Sequence, residues 1–491
     1  MELYDQKFDF RDERNLSLVM DFYELTMSQC YFNSKTKDKI VTFDLFYRKN
    51  PDQGGYAVFA GLEEVIGYIQ KLHFTKEDIS YLRSLKRFSE AFLQYLSEFR
   101  FTGDIYAVKE GTPVFPNEPL IRVKAKLIDA QLIETALLLC VNHQTMIATK
   151  ARRIVRAAGG RAIMEFGARR AHNFDSAIQG ARAAYIAGVA GTATTEAGMQ
   201  SSIPVLGTMA HSFVQSFPTE YEAFLEYAKT YPNSCTVLID TYNTLKSGLE
   251  NAIRVAKEYL EPNGYRLKGV RIDSGDMAYL SKKIRHRLDQ EGMQDCSIVV
   301  SNSLDEYLIE SLVDRQGAKI DSYGVGENMI VSKNAPVFGG VYKLAALEEN
   351  GVMVPKIKIS ENEEKITNPG DKRLYRIYNN EDGKAIADLI ALSEEEIRED
   401  QDLTIYHPMS KWKSKTLEAG TFEIRELLVP IFEKGKLVYN MPSLVGVRDY
   451  CARELETLWD EIKRFTNPQE YYVDLTEKLL DLKISMIQEK R

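Results

Sequence analysis

The chain has 491 residues, of which 44% are hydrophobic and 27% charged, and its formal net charge is −8. This length and ordinary composition predict two or three globular domains, with cores large enough to fold without disulfides or structural metals. The acidic balance disfavours nucleic acid as the main partner, because a phosphate backbone requires a basic surface.

Cysteine and histidine usage narrows the expected location and chemistry. The five cysteines are scattered and form no CxxC pair, which is typical of reduced thiols in a cytoplasmic protein. The N-terminus lacks the apolar segment of a signal peptide, and no stretch approaches the roughly 18 apolar residues of a transmembrane helix. The six histidines show no HxH or HExxH spacing, and no Walker loop is present. We therefore expect a cytoplasmic protein without a zinc site or a membrane partner.

The first 130 residues predict an α+β domain. A short helix with an aromatic face opens at Asp21, and the alternating pattern of 40–47 predicts a half-buried strand. Residues 57–70 and 75–100 have the pattern of helices, whereas 103–127 is rich in strand and turn signals. The predicted domain spans 1–130.

Between residues 131 and 345 strands and helices alternate. A long helix is predicted over 129–158. The predicted strands that follow are 161–166, 190–194, 203–208, 235–240, 269–273, 297–302 and 320–326. Their apolar runs are continuous, which is typical of parallel strands buried on both faces, and amphipathic helices lie between most of them. This pattern favours an irregular barrel over an open sheet.

The remaining residues, 346–491, predict a C-terminal region that partly completes the N-terminal domain. After Gly340 the segments VYKLAAL (341–347), PKIKIS and RLYRIY alternate as strands do, and 390–491 mixes strands with charged helices. The predicted fold class is therefore α/β. It combines an irregular parallel β/α barrel, an additional α+β domain built from the N-terminal segment and later strands, and a C-terminal α/β extension.

Polar residues follow the barrel strands at matching places. Because barrel active sites form at the carboxyl ends of the strands, we expect these residues to converge. They are Glu165, Gly167, Arg169, Arg170, His172, Thr208, His211, Ser212, Asp240, Thr241, Arg271, Asp273, Ser274, Asp276, Ser301, Asn302, Ser303, Gly324 and Gly326. Single members have structural explanations: Asp276 can cap a helix, and Ser303 with Glu306 has the spacing of a capping box. The whole set predicts a site centred on His211, on a loop between a strand and a helix.

The residue types in this set suit phosphate chemistry. Arginines bind phosphate or carboxylate groups through paired hydrogen bonds. Asp240 and Asp273 suit either Mg²⁺ or ribose hydroxyls, since Mg²⁺ prefers one or two carboxylates plus substrate phosphates. Small residues such as Gly324 and Gly326 let backbone N–H groups approach a phosphate. The set indicates a phosphorylated sugar or nucleotide substrate with Mg²⁺, although a magnesium-dependent barrel hydrolase or aldolase stays open, because a barrel alone does not fix function.

Six motifs together closely resemble those of the nicotinate phosphoribosyltransferase family, in family order. They are DFYELTM (21–27), EFGARR (165–170), GTMAHS (207–212), IDTY (239–242), RIDSGD (271–276) and GGVYKL (339–344). The resemblance implies that nicotinate and 5-phosphoribosyl 1-diphosphate give nicotinate mononucleotide and diphosphate, the first step of NAD salvage from nicotinate. It also implies coupled ATP hydrolysis through a phosphorylated histidine, which is His211 in this chain.

The resemblance further implies roles for individual residues. Tyr23 and Phe166 sandwich the pyridine ring, and Arg169 binds near the nicotinate carboxylate or a phosphate. The phosphoribosyl diphosphate contacts would come from Asp240, Arg271, Asp273, Ser274, Asn302, Gly324 and Gly326. Mg²⁺ would be held through Asp240 or Asp273. The family's counterpart of Tyr23 comes from a second subunit, so a homodimer with active sites at the interface is implied.

One position bears on the choice of base. Nicotinamide-using relatives carry an Asp after Gly-Thr on the short second strand, and that carboxylate repels nicotinate. In this chain Ala193 follows Thr192, which favours nicotinate. Two alternatives stay open: a nicotinamide-preferring transferase and a catalytically silent nucleotide-binding protein.

Overall fold

The computed structural model describes residues 14–490. The chain divides into two compact units. The central unit is Ile147–Pro336, and the two-segment unit consists of the described parts of Met1–Met146 and Val337–Arg491. Within the described range, no helix is both long enough and apolar enough to cross a membrane.

The central unit is built on a six-stranded parallel sheet, as the continuous apolar runs predict. Its strands, in order across the sheet, are Gly191–Thr192, Ala162–Glu165, Ser322–Val325, Ser297–Ser301, Gly269–Ile272 and Thr236–Leu238. The register sets Ser301 beside Gly324, and Glu165 beside both Thr192 and Val325. All strands run the same way, so their carboxyl ends lie along one edge.

The third predicted strand, 203–208, is only a single bridge between Thr192 and Val205. Pro204 has no N–H to donate. Pairing with Thr192 is limited to two hydrogen bonds, from the Thr192 N–H to the Pro204 carbonyl and from the Leu206 N–H to the Thr192 carbonyl. The chain then leaves the sheet at Gly207 and supplies a loop to the strand ends.

Helices lie between the strands of the central unit. They are Phe174–Ile186, Thr195–Ser201, His211–Gln215, Glu220–Thr230, Leu249–Val255, Met277–Gln290, Glu306–Glu310 and Glu327–Ile330, with 3₁₀ turns at Ala168–Arg170, Pro232–Ser234 and Glu261–Asn263 and π turns at Thr244–Gly248, Ala256–Leu260 and Ser311–Arg315. Thr219 accepts from the Glu222 N–H and Asp276 accepts from the Tyr279 N–H, so both residues cap the helices that follow them, as predicted for Asp276.

The predicted capping box of Ser303 and Glu306 is wrong. Asp305 caps this helix instead, accepting from the Leu308 N–H at 2.8 Å. Glu306 turns inward, where its carboxylate lies 2.9 Å from Lys150 Nζ and 2.8 Å from Arg153 Nε. The pattern of residue types could not distinguish a capping carboxylate from a buried one, since both follow a serine at the same spacing.

The two-segment unit has two larger sheets and one short pair of strands. A seven-stranded antiparallel sheet has the order Val352–Pro355, Val341–Glu349, Ile40–Phe46, Ile121–Lys126, Asp104–Ala107, Val429–Glu433 and Lys436–Leu437. A six-stranded mixed sheet has the order Ser410–Leu417, Leu403–His407, Val473–Leu475, Ala385–Leu392, Lys372–Asn379 and Phe422–Glu426. Ala57–Val58 pairs with Pro113–Val114. The first sheet takes strands from both segments of the chain.

The helices differ from prediction at three places, one of which is that the helix predicted over 129–158 is two helices, Leu127–Gln131 and Glu134–Ala157. The helices of this unit are Phe22–Phe32, Leu62–Lys71, Lys76–Ser84, Glu90–Ser97, Leu127–Gln131, Leu444–Glu456 and Glu477–Glu489, with 3₁₀ turns at Pro51–Gln53 and Glu363–Lys365, and Glu134–Ala157 contains the unit boundary. The helix predicted over 57–70 starts only after Gly61, whose φ of +103° ends the preceding strand segment. The helix predicted over 75–100 is broken near Lys86, which has φ 54°. The PKIKIS segment is not a strand beyond Pro355.

A fully buried ion pair lies between strands of the mixed sheet. Arg376 donates to both carboxylate oxygens of Asp388, at 2.8 and 2.6 Å, and both side chains are fully buried. Tyr471 donates to the same carboxylate at 2.8 Å, and Arg376 also donates to the Pro113 carbonyl. Burial raises the pKa of the nearby Glu118 carboxyl, and the negative charge of Asp388 raises it further.

Candidate functional site

Arg271 lies at the centre of the polar residues that follow the strands of the central unit. Its Nε donates to Ser301 Oγ at 3.0 Å, and its Nη1 donates to Thr208 Oγ1 at 3.1 Å and to the Met209 carbonyl at 3.2 Å. Its Nη2 lies 3.7 Å from Asp273 Oδ2. Burial lowers the pKa of this guanidinium, and the charge of Asp273 partly offsets the effect. The strand ends thus hold a largely buried cation in a fixed orientation.

Two aspartates lie beside this arginine. Asp273 accepts from Ser301 Oγ at 2.6 Å, and its backbone N–H donates to Asp240 Oδ2 at 2.8 Å. The same oxygen of Asp240 accepts from Ser274 Oγ at 2.6 Å. The other oxygen, Asp240 Oδ1, is buried and has no hydrogen-bond partner within the described residues. A buried carboxylate oxygen without a partner fits a cation or a ligand hydroxyl.

The residues present are compatible with Mg²⁺. Within residues 14–490 no three His, Cys, Asp or Glu side chains are grouped so as to hold a metal ion among themselves. Mg²⁺ is commonly bound by one or two carboxylates together with substrate phosphates and water. Asp240, through its unpartnered oxygen, and the neighbouring Asp273 are the side chains that fit this pattern.

His211 reaches the same group of residues from the loop that follows Val205. The structure corrects its expected place on a loop, because His211 is the first residue of the helix His211–Gln215. Its Nδ1 lies 3.1 Å from Thr241 Oγ1, and its Nε2 lies 3.9 Å from Asp273 Oδ2. The side chain is 41% exposed, so one ring nitrogen is oriented by the protein while the ring stays accessible.

Phe166 packs against the two glycines at the end of the last strand. A Cβ placed on Gly324 would lie 2.4 Å from Phe166 Cδ2, and one on Gly326 would lie 3.0 Å from the Phe166 carbonyl oxygen. The Arg271 guanidinium lies 5.7 Å from the centroid of the Phe166 ring. The absence of a side chain at Gly324 is therefore needed for the position of this ring, a requirement that the motif pattern did not reveal.

Replacement of Gly324 by Ala is therefore expected to displace the Phe166 ring. If Phe166 stacks on the pyridine, KM for nicotinate should rise about fivefold, in line with the roughly 1 kcal/mol of an aromatic contact. Steady-state kinetics with nicotinate as the varied substrate would measure the change, and thermal unfolding would report any loss of stability. An unchanged KM would contradict a role of the ring in base binding.

Glu165 ties the Phe166 segment to the second strand, and sequence reasoning did not assign it a role. Its side chain is fully buried; one oxygen accepts from the Gly167 N–H and the other from Thr192 Oγ1 at 2.6 Å. Burial raises the pKa of this carboxyl, and these hydrogen bonds partly offset the rise. Thr192 was likewise missed, although its place in the Gly-Thr pair beside Ala193 was a usable signal.

The other predicted residues are placed less centrally. Arg169 lies on an exposed 3₁₀ turn, and His172 is exposed just after it. Asn302, with φ 89°, is on the exposed loop after Ser301. Tyr23 belongs to the two-segment unit, on the helix Phe22–Phe32, and is 42% exposed. The central unit thus brings together Phe166, Asp240, Arg271, Asp273, Ser274, His211 and Gly324.

Comparison with known proteins identifies related chains over nearly the whole length. Residues 18–142, 161–385 and 371–483 match the models described as the nicotinate phosphoribosyltransferase N-terminal domain, family and C-terminal domain. Nicotinate phosphoribosyltransferase of Bacillus subtilis is 46% identical over 98% of this chain and 97% of its own length. Nicotinate phosphoribosyltransferase pncB2 of Mycobacterium tuberculosis is 38% identical, over 91% and 88% respectively. The crystal structure of human nicotinic acid phosphoribosyltransferase aligns with a TM-score of 0.83 at 28% identity, covering 96% of this chain and 100% of that one.

Proposed function

The chain belongs to the nicotinate phosphoribosyltransferase family, and we propose that it couples its reaction to ATP hydrolysis through phosphorylation of His211. The activity itself, transfer of the phosphoribosyl group to nicotinate for NAD biosynthesis, follows from family membership. In the coupled step a ring nitrogen of His211 attacks the γ-phosphorus of ATP, the bond to the bridging oxygen breaks, and ADP leaves. Water later cleaves the phosphorus–nitrogen bond and releases phosphate.

The observation that carries this proposal is the position of His211 beside Thr241 and Asp273. The contact between Nδ1 and Thr241 Oγ1, at 3.1 Å, fixes the ring plane, and Nε2 faces the strand ends 3.9 Å from Asp273. A phosphoryl group on the ring would add negative charge close to Arg271, which is already hydrogen-bonded to the Met209 carbonyl on the same loop. Phosphorylation can therefore change the affinity of the site for anions, which is how ATP hydrolysis would alter substrate and product binding.

For the transfer itself we assign the diphosphate to Arg271 and the ribose to the two aspartates. Displacement at the sugar C1 passes through a positively charged state and releases diphosphate, so positioning and electrostatics dominate. Asp240 and Asp273 would hold Mg²⁺ or ribose hydroxyls, with Ser274 and Asn302 nearby, and Gly324 and Gly326 would adjoin the 5-phosphate. Mg²⁺, when bound, supplies charge neutralisation on the diphosphate.

We assign nicotinate to a sandwich between Phe166 and Tyr23, with Arg169 near the carboxylate or a phosphate, in a homodimer whose active sites lie at the interface. The exposed start of the helix Phe22–Phe32 supports such an interface, since Val19, Phe22 and Tyr23 are 43%, 49% and 42% exposed. Light scattering with size-exclusion chromatography should give a dimer mass for the purified chain. Replacement of Phe22 by Asp should shift it towards the monomer.

Three broader assignments follow from the same family membership. The parallel sheet would close as a β/α barrel. This is supported by the pairing of Ala162–Glu165, the first of its strands along the chain, with Ser322–Val325, the last along the chain. The chain would divide into an N-terminal α+β domain (1–130), a barrel (131–345) and a C-terminal region (346–491). A cytoplasmic location is supported by the five free thiols, which suit a reducing compartment.

Replacement of Ala193 by Asp is expected to shift the preference from nicotinate to nicotinamide. Ala193 is exposed, and its N–H donates to the Glu165 carbonyl at 2.8 Å, so a new carboxylate would be accessible close to the chain segment that carries Phe166. It would repel nicotinate and accept from a carboxamide, and the ratio of kcat/KM for the two bases should change at least 100-fold. Ala193→Asn is the matched control, because it adds similar volume without charge. An unchanged ratio would remove this position from the base pocket.

The activity is tested by incubating the chain with nicotinate, 5-phosphoribosyl 1-diphosphate and Mg²⁺, with and without ATP. Nicotinate mononucleotide formed faster with ATP, together with ADP and phosphate, is the expected result. Preference for nicotinamide in the same assay would support the alternative transferase. Ligand binding without any mononucleotide would support the silent nucleotide-binding protein.

A further inference from the structure

A cavity of about 390 Å³ lies within the two-segment unit, between strands of its two larger sheets. Asp44 and Lys343, which pair across neighbouring strands of the seven-stranded sheet, contribute to one wall. Lys372 of the mixed sheet, His407 and Lys483 contribute to the other. Lys343 belongs to the GGVYKL motif, to which the proposed reaction assigns no role.

The charges lining this cavity are predominantly positive. It is lined by five Lys or Arg side chains (Arg48, Lys49, Lys343, Lys372 and Lys483) and by three carboxylates (Asp44, Glu363 and Glu364). Two of the cations have carboxylate partners: Lys372 Nζ lies 2.7 Å from Asp44 Oδ2, and Lys49 Nζ lies 3.1 Å from Glu364 Oε2 at the exposed rim. Within residues 14–490, the other three cations of the cavity, Arg48, Lys343 and Lys483, form no ion pair with a carboxylate.

Lys483 is the most enclosed of these three cations. Its side chain is 3% exposed, and its Nζ donates to the amide oxygen of Asn368 at 2.9 Å. An ammonium group carries three donors, so this bond leaves capacity for a ligand. Burial and, to a smaller extent, the charge of Lys372 together lower the pKa of Lys483 to about 8. Asn368 also binds Lys372 through its carbonyl, at 2.9 Å, so the two lysines are held on one turn.

Arg48 and Lys343 are the other two positive charges of the cavity. Arg48 Nε is buried without a hydrogen-bond partner, and burial lowers the pKa of this guanidinium. Burial also lowers the pKa of Lys343. The negative charge of Glu134 partly offsets this effect, whereas the positive charges of Lys358 and Arg48 add to it. Burying like charges together is costly unless an anion compensates them.

We propose that this cavity binds a phosphate-bearing anion, held by Lys343 and Lys483 with Arg48 as a third donor. Ammonium and guanidinium groups converging on an enclosed space are the usual donors to phosphate oxygens. A volume of about 390 Å³ admits an inorganic diphosphate or the phosphate chain of a nucleotide. The inference does not depend on phosphorylation of His211, and it assigns a function to Lys343 of the GGVYKL motif.

The test is isothermal titration of the full chain with inorganic diphosphate, in a background that weakens the transferase site. Arg271→Gln provides this background, since Arg271 is the residue assigned to diphosphate there. The Arg271→Gln chain should still bind one diphosphate per protomer. Adding Lys343→Gln should weaken this binding tenfold or more, the size expected for loss of one charge-assisted hydrogen bond.

Lys49→Gln is the matched control, because Lys49 lines the same cavity but is 74% exposed and paired with Glu364. In the Arg271→Gln background it should change the affinity less than about twofold. No diphosphate binding by the Arg271→Gln chain, or equal weakening by Lys343→Gln and Lys49→Gln, would overturn the proposal. If the Lys343→Gln chain loses its circular dichroism signal, Arg48→Gln gives the same comparison from the segment that follows the strand Ile40–Phe46.

Parallel titrations distinguish the source of the phosphate group. Inorganic phosphate, inorganic diphosphate and a non-hydrolysable ATP analogue are each added to the Arg271→Gln chain. Tightest binding of the analogue identifies a nucleotide, and tightest binding of diphosphate identifies the free anion. Binding of none of the three would overturn the proposal. Transferase activity is measured separately on the Lys343→Gln chain with Arg271 intact. This measurement distinguishes failure of anion binding in the cavity from failure of the proposed phosphohistidine.

Discussion

Replacement of His211 by Ala is expected to abolish incorporation of the γ-phosphate of ATP and to reduce ATP hydrolysis at least about 100-fold. The side chain is held by Thr241 and faces Asp273, but it is 41% exposed and belongs to no buried cluster. Its removal should therefore change stability little. Mononucleotide formation in the absence of ATP should persist, because Arg271, Asp240 and Asp273 keep their mutual contacts.

Incubation with γ-labelled ATP and Mg²⁺, followed by precipitation under alkaline and acidic conditions, measures the incorporated phosphate. Label that survives base and is lost in acid is the signature of a phosphohistidine. His286→Ala is the matched control, since His286 is an exposed histidine on the helix Met277–Gln290 whose ring lies 3.1 Å from the side-chain amide of Gln290, on the same helix. Label retained on the His211→Ala chain would place the phosphorylated residue elsewhere.

Replacement of Arg376 by Met is expected to destabilise the two-segment unit by about 3–5 kcal/mol. The substitution leaves the Asp388 carboxylate fully buried, with the Tyr471 hydroxyl as its remaining side-chain donor. It also removes the positive charge that offsets the repulsion between Asp388 and the neighbouring Glu118. The Pro113 carbonyl also loses its side-chain donor. This cost is that of an unpaired buried charge and exceeds the net value of the ion pair itself.

Urea unfolding followed by circular dichroism and fluorescence would measure the change, with the two units resolved as separate transitions if both appear. Arg398→Gln is the control, because Arg398 and Asp400 form a pair with similar geometry whose side chains are 48% and 66% exposed. It should change the free energy of unfolding by less than about 0.5 kcal/mol. The double replacement of Arg376 by Met and Asp388 by Leu should recover most of the loss. A single-variant effect no larger than that of Arg398→Gln would contradict the assignment.

The sequence predicted the parallel sheet of the central unit well because its evidence is local. Continuous apolar runs bounded by Gly, Asp and Ser identify each strand, and the polar residues at the ends follow directly in the chain. Arg271, Asp273 and Asp240 could be grouped on this basis before any distance was known. Family motifs, in order from residue 21 to 344, added the identity of the reaction.

What sequence reasoning missed depends on contacts between distant residues. The Phe166 ring occupies the space of the absent side chain at Gly324, a contact that the motifs did not reveal. Glu306 had the spacing of a cap, yet it compensates Lys150 and Arg153 in the interior. The long predicted helices of the first segment were broken at Gly61 and Lys86 by positive φ angles that residue type signals only weakly.

The seven-stranded sheet constrains the order in which the chain can become complete during synthesis. Ile40–Phe46 pairs with Val341–Glu349, and Asp104–Ala107 pairs with Val429–Glu433. At about 5–20 residues per second, a ribosome reaches Val341–Glu349 roughly 15–60 s after it has synthesised Ile40–Phe46. The contiguous residues of the central unit emerge meanwhile, while the earlier strands keep an unpaired edge prone to association with other chains. The first segment to leave the ribosome therefore acquires its last neighbours only near the end of translation, and a chain truncated before Val429 can never acquire them.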